Sequence, residues 1–199
     1  ALGYAALTTN TTGPNNVAIG HGALGANTTA NGSTAIGTGV LAANITGDGN
    51  TAIGGAIASV RNAAMAANTT GYWNVAMGGG AFTANTTGHS SVAIGFSALG
   101  ANTTAANNVA VGAYSLDANT TGASNTALGY AALTTNTTGP NNVAVGNNSL
   151  TLNTTGSENT AVGTSCLGAN TTGSSNIAVG YAALNANTTG ATNLAIGLY

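Results

Sequence analysis

Asn10-Thr11-Thr12-Gly13 begins a pattern that recurs, with small changes, eleven times along the 199-residue chain. The asparagines that open its copies are Asn10, Asn27, Asn44, Asn68, Asn85, Asn102, Asn119, Asn136, Asn153, Asn170 and Asn187. Successive copies lie 17 residues apart, except for a single step of 24 residues between Asn44 and Asn68. A short fixed period over a whole chain indicates a tandem-repeat architecture.

A second marker, Ala-x-Gly, runs in phase with the first. Its glycines are Gly3, Gly20, Gly37, Gly54, Gly78, Gly95, Gly112, Gly129, Gly146, Gly163, Gly180 and Gly197. A position that is glycine in every copy predicts a positive φ angle or a close backbone approach, here at the corner that follows a strand.

The repeat from Asn125 to Asn141 shows the proposed coil most clearly. It predicts a strand over residues 125–129, a corner at Tyr130, a second strand over residues 132–138 and a turn at Gly139. Seventeen residues are too few for a helix with a strand, and the many glycine and β-branched residues also disfavour helix. We therefore predict an all-β fold, a parallel β-solenoid or β-roll with two short strands per 17-residue coil. It has about 11–12 coils in one domain over residues 1–199, with a seven-residue insertion at about residues 55–61.

Strand alternation predicts which side chains form the interior, because successive residues point to opposite faces. The Leu7 position is always large and apolar, which places it inside. Alternation from Leu7 puts Thr9 and Thr11 inside, and Thr8, Asn10 and Thr12 outside. On the other strand it is taken to put Val17 and Ile19 inside and Ala18 outside. A further asparagine just before this strand, for example Asn125, is predicted to cap backbone groups through its side chain.

Charge is almost absent, which excludes several kinds of partner. Lys and Arg together number one, Arg61, and only 2% of residues are charged, against about 25% in ordinary soluble domains. Binding of nucleic acid or of an anionic membrane surface requires clustered basic residues, so neither is expected. No apolar run approaches the ~20 residues of a membrane-spanning helix, so no membrane insertion is expected.

The sequence offers no catalytic or metal-binding arrangement. His21 and His89 occupy different repeat positions, and the three acidic residues are scattered. Cys166 stands alone, which excludes an intrachain disulfide and suits a small core residue. We expect that the protein is not an enzyme and needs no cofactor.

All eleven Asn-Thr-Thr copies match the N-glycosylation pattern Asn-x-Ser/Thr. Where the middle residue changes to Ile45, Asn44 and Thr46 remain, as the pattern requires. Asn31 and Asn147 also match, off the row. The first hypothesis is therefore a structural subunit of an extracellular fibre or cell-surface filament, with N-linked glycans on the eleven row asparagines.

Other interpretations of the row stay open. An array of outward Thr on a flat face can order water, so ice binding is one alternative. A third interpretation is that the row consists of Asn and Thr ladders that only form hydrogen bonds along the stack. Tyr72-Trp73, His89 and Phe96 are corner residues that could stack on sugar, although scattered surface aromatics are usually incidental.

Self-association is expected from both the ends and the sides. The chain begins and ends inside the repeat without a polar cap, which predicts end-to-end association into a fibre or continuation in a longer chain. The invariant Ala18 position, taken as outward, predicts a lateral contact with another copy or a crowded corner. The insertion is read as a tolerated loop or, because it holds Arg61, as a contact with a neighbouring chain.

The segments 16–20, 91–95 and 142–146 resemble the Asn-Ser-Val-Ala-Ile-Gly motif of the head repeats of trimeric autotransporter adhesins. The likeness covers the first strand of nearly every repeat. It implies a left-handed parallel β-roll, three chains side by side on a bacterial surface, and adhesion to matrix or cells, which is the second functional hypothesis. The usual repeat of that family is shorter, and its second strand lacks an Asn-Thr-Thr row.

Overall fold

A computed structural model describes residues 1–56 and 62–198. Within them the chain forms eleven strands of three residues each and no helix. The strands are β1 (Val17–Ile19), β2 (Thr34–Ile36), β3 (Thr51–Ile53), β4 (Val75–Met77), β5 (Val92–Ile94), β6 (Val109–Val111), β7 (Thr126–Leu128), β8 (Val143–Val145), β9 (Thr160–Val162), β10 (Ile177–Val179) and β11 (Leu194–Ile196).

The strands form one parallel sheet in sequence order, each pairing only with its predecessor and successor. Equivalent repeat positions are in register, so Ala18 pairs with Ala35 and Ala35 with Ala52. Leu2 extends the stack by a parallel bridge to Ile19. This confirms the parallel β-solenoid with 17-residue coils. At ~4.8 Å per rung, the eleven strands span roughly 50 Å.

The interior is a thin double layer of alanine and leucine. The central Ala of each strand from β1 to β10 is 0–1% exposed, and the Leu24 position opposite is fully buried in the middle rungs. The inward prediction for the Leu7 position is therefore confirmed. The prediction for the strand was wrong: Ala18 points inward, and Val17 and Ile19 point outward. A 17-residue coil is too narrow to hold Val and Ile from the strand together with Leu from the opposite wall.

The second predicted strand does not form, so each coil has one strand rather than two. Residues 131–135 have turn geometry, and Ala131 and Leu133 both have positive φ, 52° and 53°. These turns still bond from rung to rung, since the amide of Leu133 donates to the carbonyl of Ser149 at 3.0 Å. Alternation counted from Leu7 therefore fails. The Thr9 position is half-buried or exposed, and Ile45, at the Thr11 position, is 42% exposed.

The glycine corner behaves as predicted. All twelve Ala-x-Gly glycines have φ between 126° and 137°. A Cβ on Gly129 would lie 2.6 Å from the carbonyl oxygen of Gly146 in the next rung. Both the positive φ and the close backbone approach therefore exclude a side chain at this corner.

The insertion lies mostly outside the described residues, because residues 57–61, including Arg61, are not among them. The stack continues on both sides of it, with β3 paired to β4. In the part of the chain that the structure describes, no helix has the length and apolarity needed to cross a bilayer.

Candidate functional site

The eleven asparagines of the Asn-Thr-Thr row form a continuous ladder along the stack. From Asn27 onward, each Nδ2 donates to the Oδ1 of the row asparagine one rung earlier, at 2.7 to 3.4 Å. Each Nδ2 also donates to the carbonyl three residues later in its own turn, at 2.9 to 3.3 Å. We call this column the row ladder.

The row ladder faces the interior, so the outward orientation predicted for it was wrong. Asn27, Asn44, Asn68, Asn85, Asn102, Asn119, Asn136, Asn153 and Asn170 are 0% exposed, and Asn10 and Asn187 at the ends are partly buried. The physical reason is that this segment forms turns, in which successive side chains do not alternate between two faces as they would in the predicted strand.

A second ladder runs beside the first, through the asparagine or serine that precedes each strand. Its members are Asn16, Ser33, Asn50, Asn74, Ser91, Asn108, Asn125, Asn142, Asn159, Asn176 and Asn193. From Ser33 onward, the backbone N–H of each member donates to the side-chain oxygen of the member one rung before, as when Asn125 N–H donates to Asn108 Oδ1 at 2.9 Å. The predicted capping role of this position is confirmed.

The two ladders meet at shared backbone carbonyls. The carbonyl of Gly122 accepts from Asn119 in the row ladder at 2.9 Å and from Asn108 in the second ladder at 3.0 Å. A Cβ on Gly122 would lie 2.6 Å from Asn119 Oδ1 and 2.7 Å from the carbonyl oxygen of Gly139. Space at this position is tight, so nine of the eleven copies have glycine and the other two have the small, buried Ala30 and Ala105. No buried side-chain polar atom of the described residues lacks a partner.

The two threonines of the row have different surroundings. The first, as in Thr120, donates its hydroxyl to the carbonyl of the next rung, here Thr137 at 3.1 Å. The second is exposed in every rung and forms what we call the threonine edge, as the outward prediction for Thr12 required. Its members are Thr12, Thr29, Thr46, Thr70, Thr87, Thr104, Thr121, Thr138, Thr155, Thr172 and Thr189.

This geometry bears directly on the glycosylation hypothesis. The Nδ2 that would carry a glycan is committed to two hydrogen bonds inside the stack, for example in Asn136. The folded rod therefore presents the hydroxyl of each Asn-x-Thr pattern and not its amide. Glycosylation itself stays a prediction. Asn31 and Asn147, the matches off the row, are exposed.

The outer surface of the sheet is apolar, and we call it the strand face. It consists of two columns, the first residue of each strand (Val, Thr, Ile or Leu) and the third (Ile, Val, Leu or Met). The most exposed members in β1 to β10 keep 36% to 46% of their surface accessible. The face carries no charged residue. The invariant alanines, at which a lateral contact was expected, thus lie inside, and the residues on either side of them are the exposed ones.

The remaining reactive residues do not converge. No group of three or more His, Cys, Asp or Glu that could hold a metal occurs among the described residues. Cys166 is buried as expected, and its Sγ lies 3.1 Å from the carbonyl oxygen of Ala178. Burial raises the pKa of the Cys166 thiol, which disfavours the reactive thiolate.

Comparison with known proteins gives no family for this chain. No protein-family model matches it, and no curated protein and no solved structure is significantly similar to it.

Proposed function

We propose that the chain is a structural subunit of an extracellular fibre, in which copies pack side by side through the strand face. The observation that carries the proposal is the strand face itself. It holds two in-register columns without charge over the whole length of the stack, one apolar throughout and the other apolar except for four Thr. A monomer that must stay dispersed in water rarely exposes such a surface.

The size of the face suits association. Eleven rungs at ~4.8 Å and a width of about 12 Å give roughly 600 Å² per copy. That area is near the ~800 Å² per partner of a standard stable interface and lies at the upper end of the largest patch on a typical monomer. Because the columns of the face repeat at every rung, neighbouring copies can interdigitate along the whole rod.

The interior gives the subunit the stiffness that a fibre needs. Every rung is joined to the next through the sheet, the row ladder and the second ladder, for example by the bonds of Asn119 and Asn125. A net hydrogen bond contributes about 0.5–1.5 kcal/mol, so the repeated links add up along the stack. The resemblance to adhesin heads implies three chains side by side, and the strand face is the surface that would join them.

Sedimentation velocity over a range of protein concentrations tests the proposal. The wild-type chain is expected to form a discrete larger species or fibres. The double variant Ile94→Lys/Val111→Lys is expected to sediment as a monomer, because it places two like charges on adjacent rungs of the strand face. Both side chains already contact water in the single chain, so the fold should survive the change.

A matched control adds the same charges elsewhere. Thr104→Lys/Thr121→Lys also alters adjacent rungs, but on the threonine edge. It should associate as the wild type does. A wild-type chain that stays monomeric at high concentration would refute the proposal, as would equal association of the strand-face variant.

Two features of the hypothesis have separate tests. Intact mass before and after enzymatic deglycosylation, on protein from a glycosylating source, decides whether glycans are present. Ice binding draws on the strand face and on the outward Thr34, Thr51, Thr126 and Thr160 within it. Thermal hysteresis of the purified chain measures that activity, and we expect none because the columns are mainly Val, Ile and Leu.

A further inference from the structure

Three aromatic residues from two adjacent rungs form one cluster on the edge before β4 and β5. Tyr72 and His89 are 17 residues apart, so they occupy the same position on adjacent rungs. Their rings stack with centroids 4.6 Å apart and planes at 7°. The indole of Trp73 meets the Tyr72 ring edge-on, at 5.1 Å and 84°. We call these three residues the aromatic platform.

Trp73 is an unusual residue for its position in the repeat. Its φ is 55°, in the left-handed region, where other rungs place mostly Asn, Gly or Ser. Positive φ is shared by every rung at this position, so what distinguishes Trp73 is the large aromatic ring that it places there. The side chain is also 66% exposed. Its underside rests on Gly49, where a Cβ would lie 2.7 Å from Cδ1 of the indole.

Asp48 lies on the rung before Trp73, next to Gly49, on which the indole rests. The backbone N–H of Trp73 donates to the backbone carbonyl of Asp48 at 2.9 Å, which joins the two residues across adjacent rungs. The Asp48 side chain is oriented by the Asn31 N–H, which donates to Oδ1 at 2.8 Å. Among the described residues, no group donates to the other carboxylate oxygen, and Asp48 is exposed. That oxygen is free to accept from a ligand.

We propose that the aromatic platform with Asp48 binds a neutral carbohydrate. The apolar C–H face of a pyranose ring stacks on the negatively polarised face of the Trp73 indole. A sugar hydroxyl donates to the free oxygen of Asp48. An open, exposed ring with a carboxylate on the neighbouring rung suits a sugar ring; a cation would be held in an enclosed aromatic cage, which is not what these residues form.

The charges of the protein indicate that the sugar is a neutral one. The sequence has no Lys and a single cation, Arg61, and the site itself carries the Asp48 carboxylate. Sialylated, sulfated or phosphorylated glycans would meet a negative group without a matching cation. Binding of a neutral glycan goes beyond the structural role proposed above and would give the rod an adhesive function.

The only tryptophan in the chain is Trp73, so its fluorescence reports directly on the site. Titration of the full chain with neutral oligosaccharides of N-acetylglucosamine, galactose and glucose should produce a saturable change with at least one series. Calorimetry with that sugar then compares variants. Trp73→Asn should bind roughly 30-fold more weakly, as for a central aromatic contact worth about 2 kcal/mol.

The variant set separates binding from folding. Trp73→Asn should melt at or above the wild-type temperature, because Asn adopts the left-handed region readily. Asp48→Asn should also weaken binding, since its amide replaces an oriented carboxylate. Tyr130→Ala removes an exposed aromatic residue from the corner that follows the strands, away from the platform, and this variant should bind like the wild type.

The proposal fails if no neutral sugar series binds, if Trp73→Asn binds as the wild type does, or if choline rather than sugar changes the fluorescence. These outcomes are independent of the association experiment. The strand-face variants leave the aromatic platform untouched, and Trp73→Asn leaves the strand face untouched.

Discussion

Replacing Asn119 by alanine separates the two interpretations of the Asn-Thr-Thr row. The side chain takes part in three hydrogen bonds: to Asn102 Oδ1 at 3.1 Å, to the Gly122 carbonyl at 2.9 Å, and from Asn136 Nδ2 at 2.9 Å. Alanine removes all three in the middle of the row ladder. If the row is structural, this single change should lower stability substantially.

The size of the effect follows from which partners are left without a bond. The Gly122 carbonyl keeps its bond from Asn108 at 3.0 Å, and Asn136 Nδ2 keeps its bond to Gly139 at 2.9 Å. Only Asn102 Oδ1 loses its donor. Three net bonds at about 1 kcal/mol each give a loss of about 3 kcal/mol, which corresponds to a decrease in Tm of roughly 6–12 °C.

The matched control is Thr121→Ala. It removes the same Asn-x-Thr pattern from the sequence, yet Thr121 is exposed on the threonine edge. Its Tm should change by less than about 2 °C, as for an ordinary surface substitution. Melting should be followed by circular dichroism at one fixed protein concentration, because self-association would make Tm depend on concentration.

If the row is glycosylated, the two variants should instead respond alike. Both would lose one glycan in intact mass, and both would lose any stability that the glycan supplies. The structural interpretation is refuted if Asn119→Ala melts within 2 °C of the wild type, on the order of a surface change. Equal losses of stability in Asn119→Ala and Thr121→Ala would also contradict it.

Three further predictions concern the corner, the core and one carboxyl group. Gly129→Ala should cost at least about 3 kcal/mol or abolish folding, because φ is 137° and the Cβ would meet the Gly146 carbonyl; the denaturation midpoint measures this. Leu133→Ala should cost about 2–5 kcal/mol from the buried core, whereas the exposed Leu152→Ala should cost little by the same measurement. Burial raises the pKa of the Asp117 carboxyl, so wild-type stability should be greatest below the ordinary pKa of the group and fall as pH rises through the raised value. Asp117→Asn should remove that slope in a series of melting curves against pH and should be the more stable protein at neutral pH.

Side-chain direction was the part of the structure that sequence reasoning judged wrongly. Invariance held the missing signal: the central Ala of the strand never changes, whereas the positions of Val17 and Ile19 vary among several apolar residues. A crowded interior position tolerates one small side chain, and an outward position tolerates many. The same argument applies to the row asparagine, which is invariant because its amide is buried and bonded on both sides.

The sequence by itself determined the parallel solenoid, its 17-residue rung and the glycine corner, because a fixed period forces equivalent residues to stack in register. Only the tertiary structure decided which side chains line the interior, because turns with positive φ at positions such as Leu133 break the alternation that a strand would impose. It also stacked His89 on Tyr72, since residues one period apart become neighbours only once the coils are stacked.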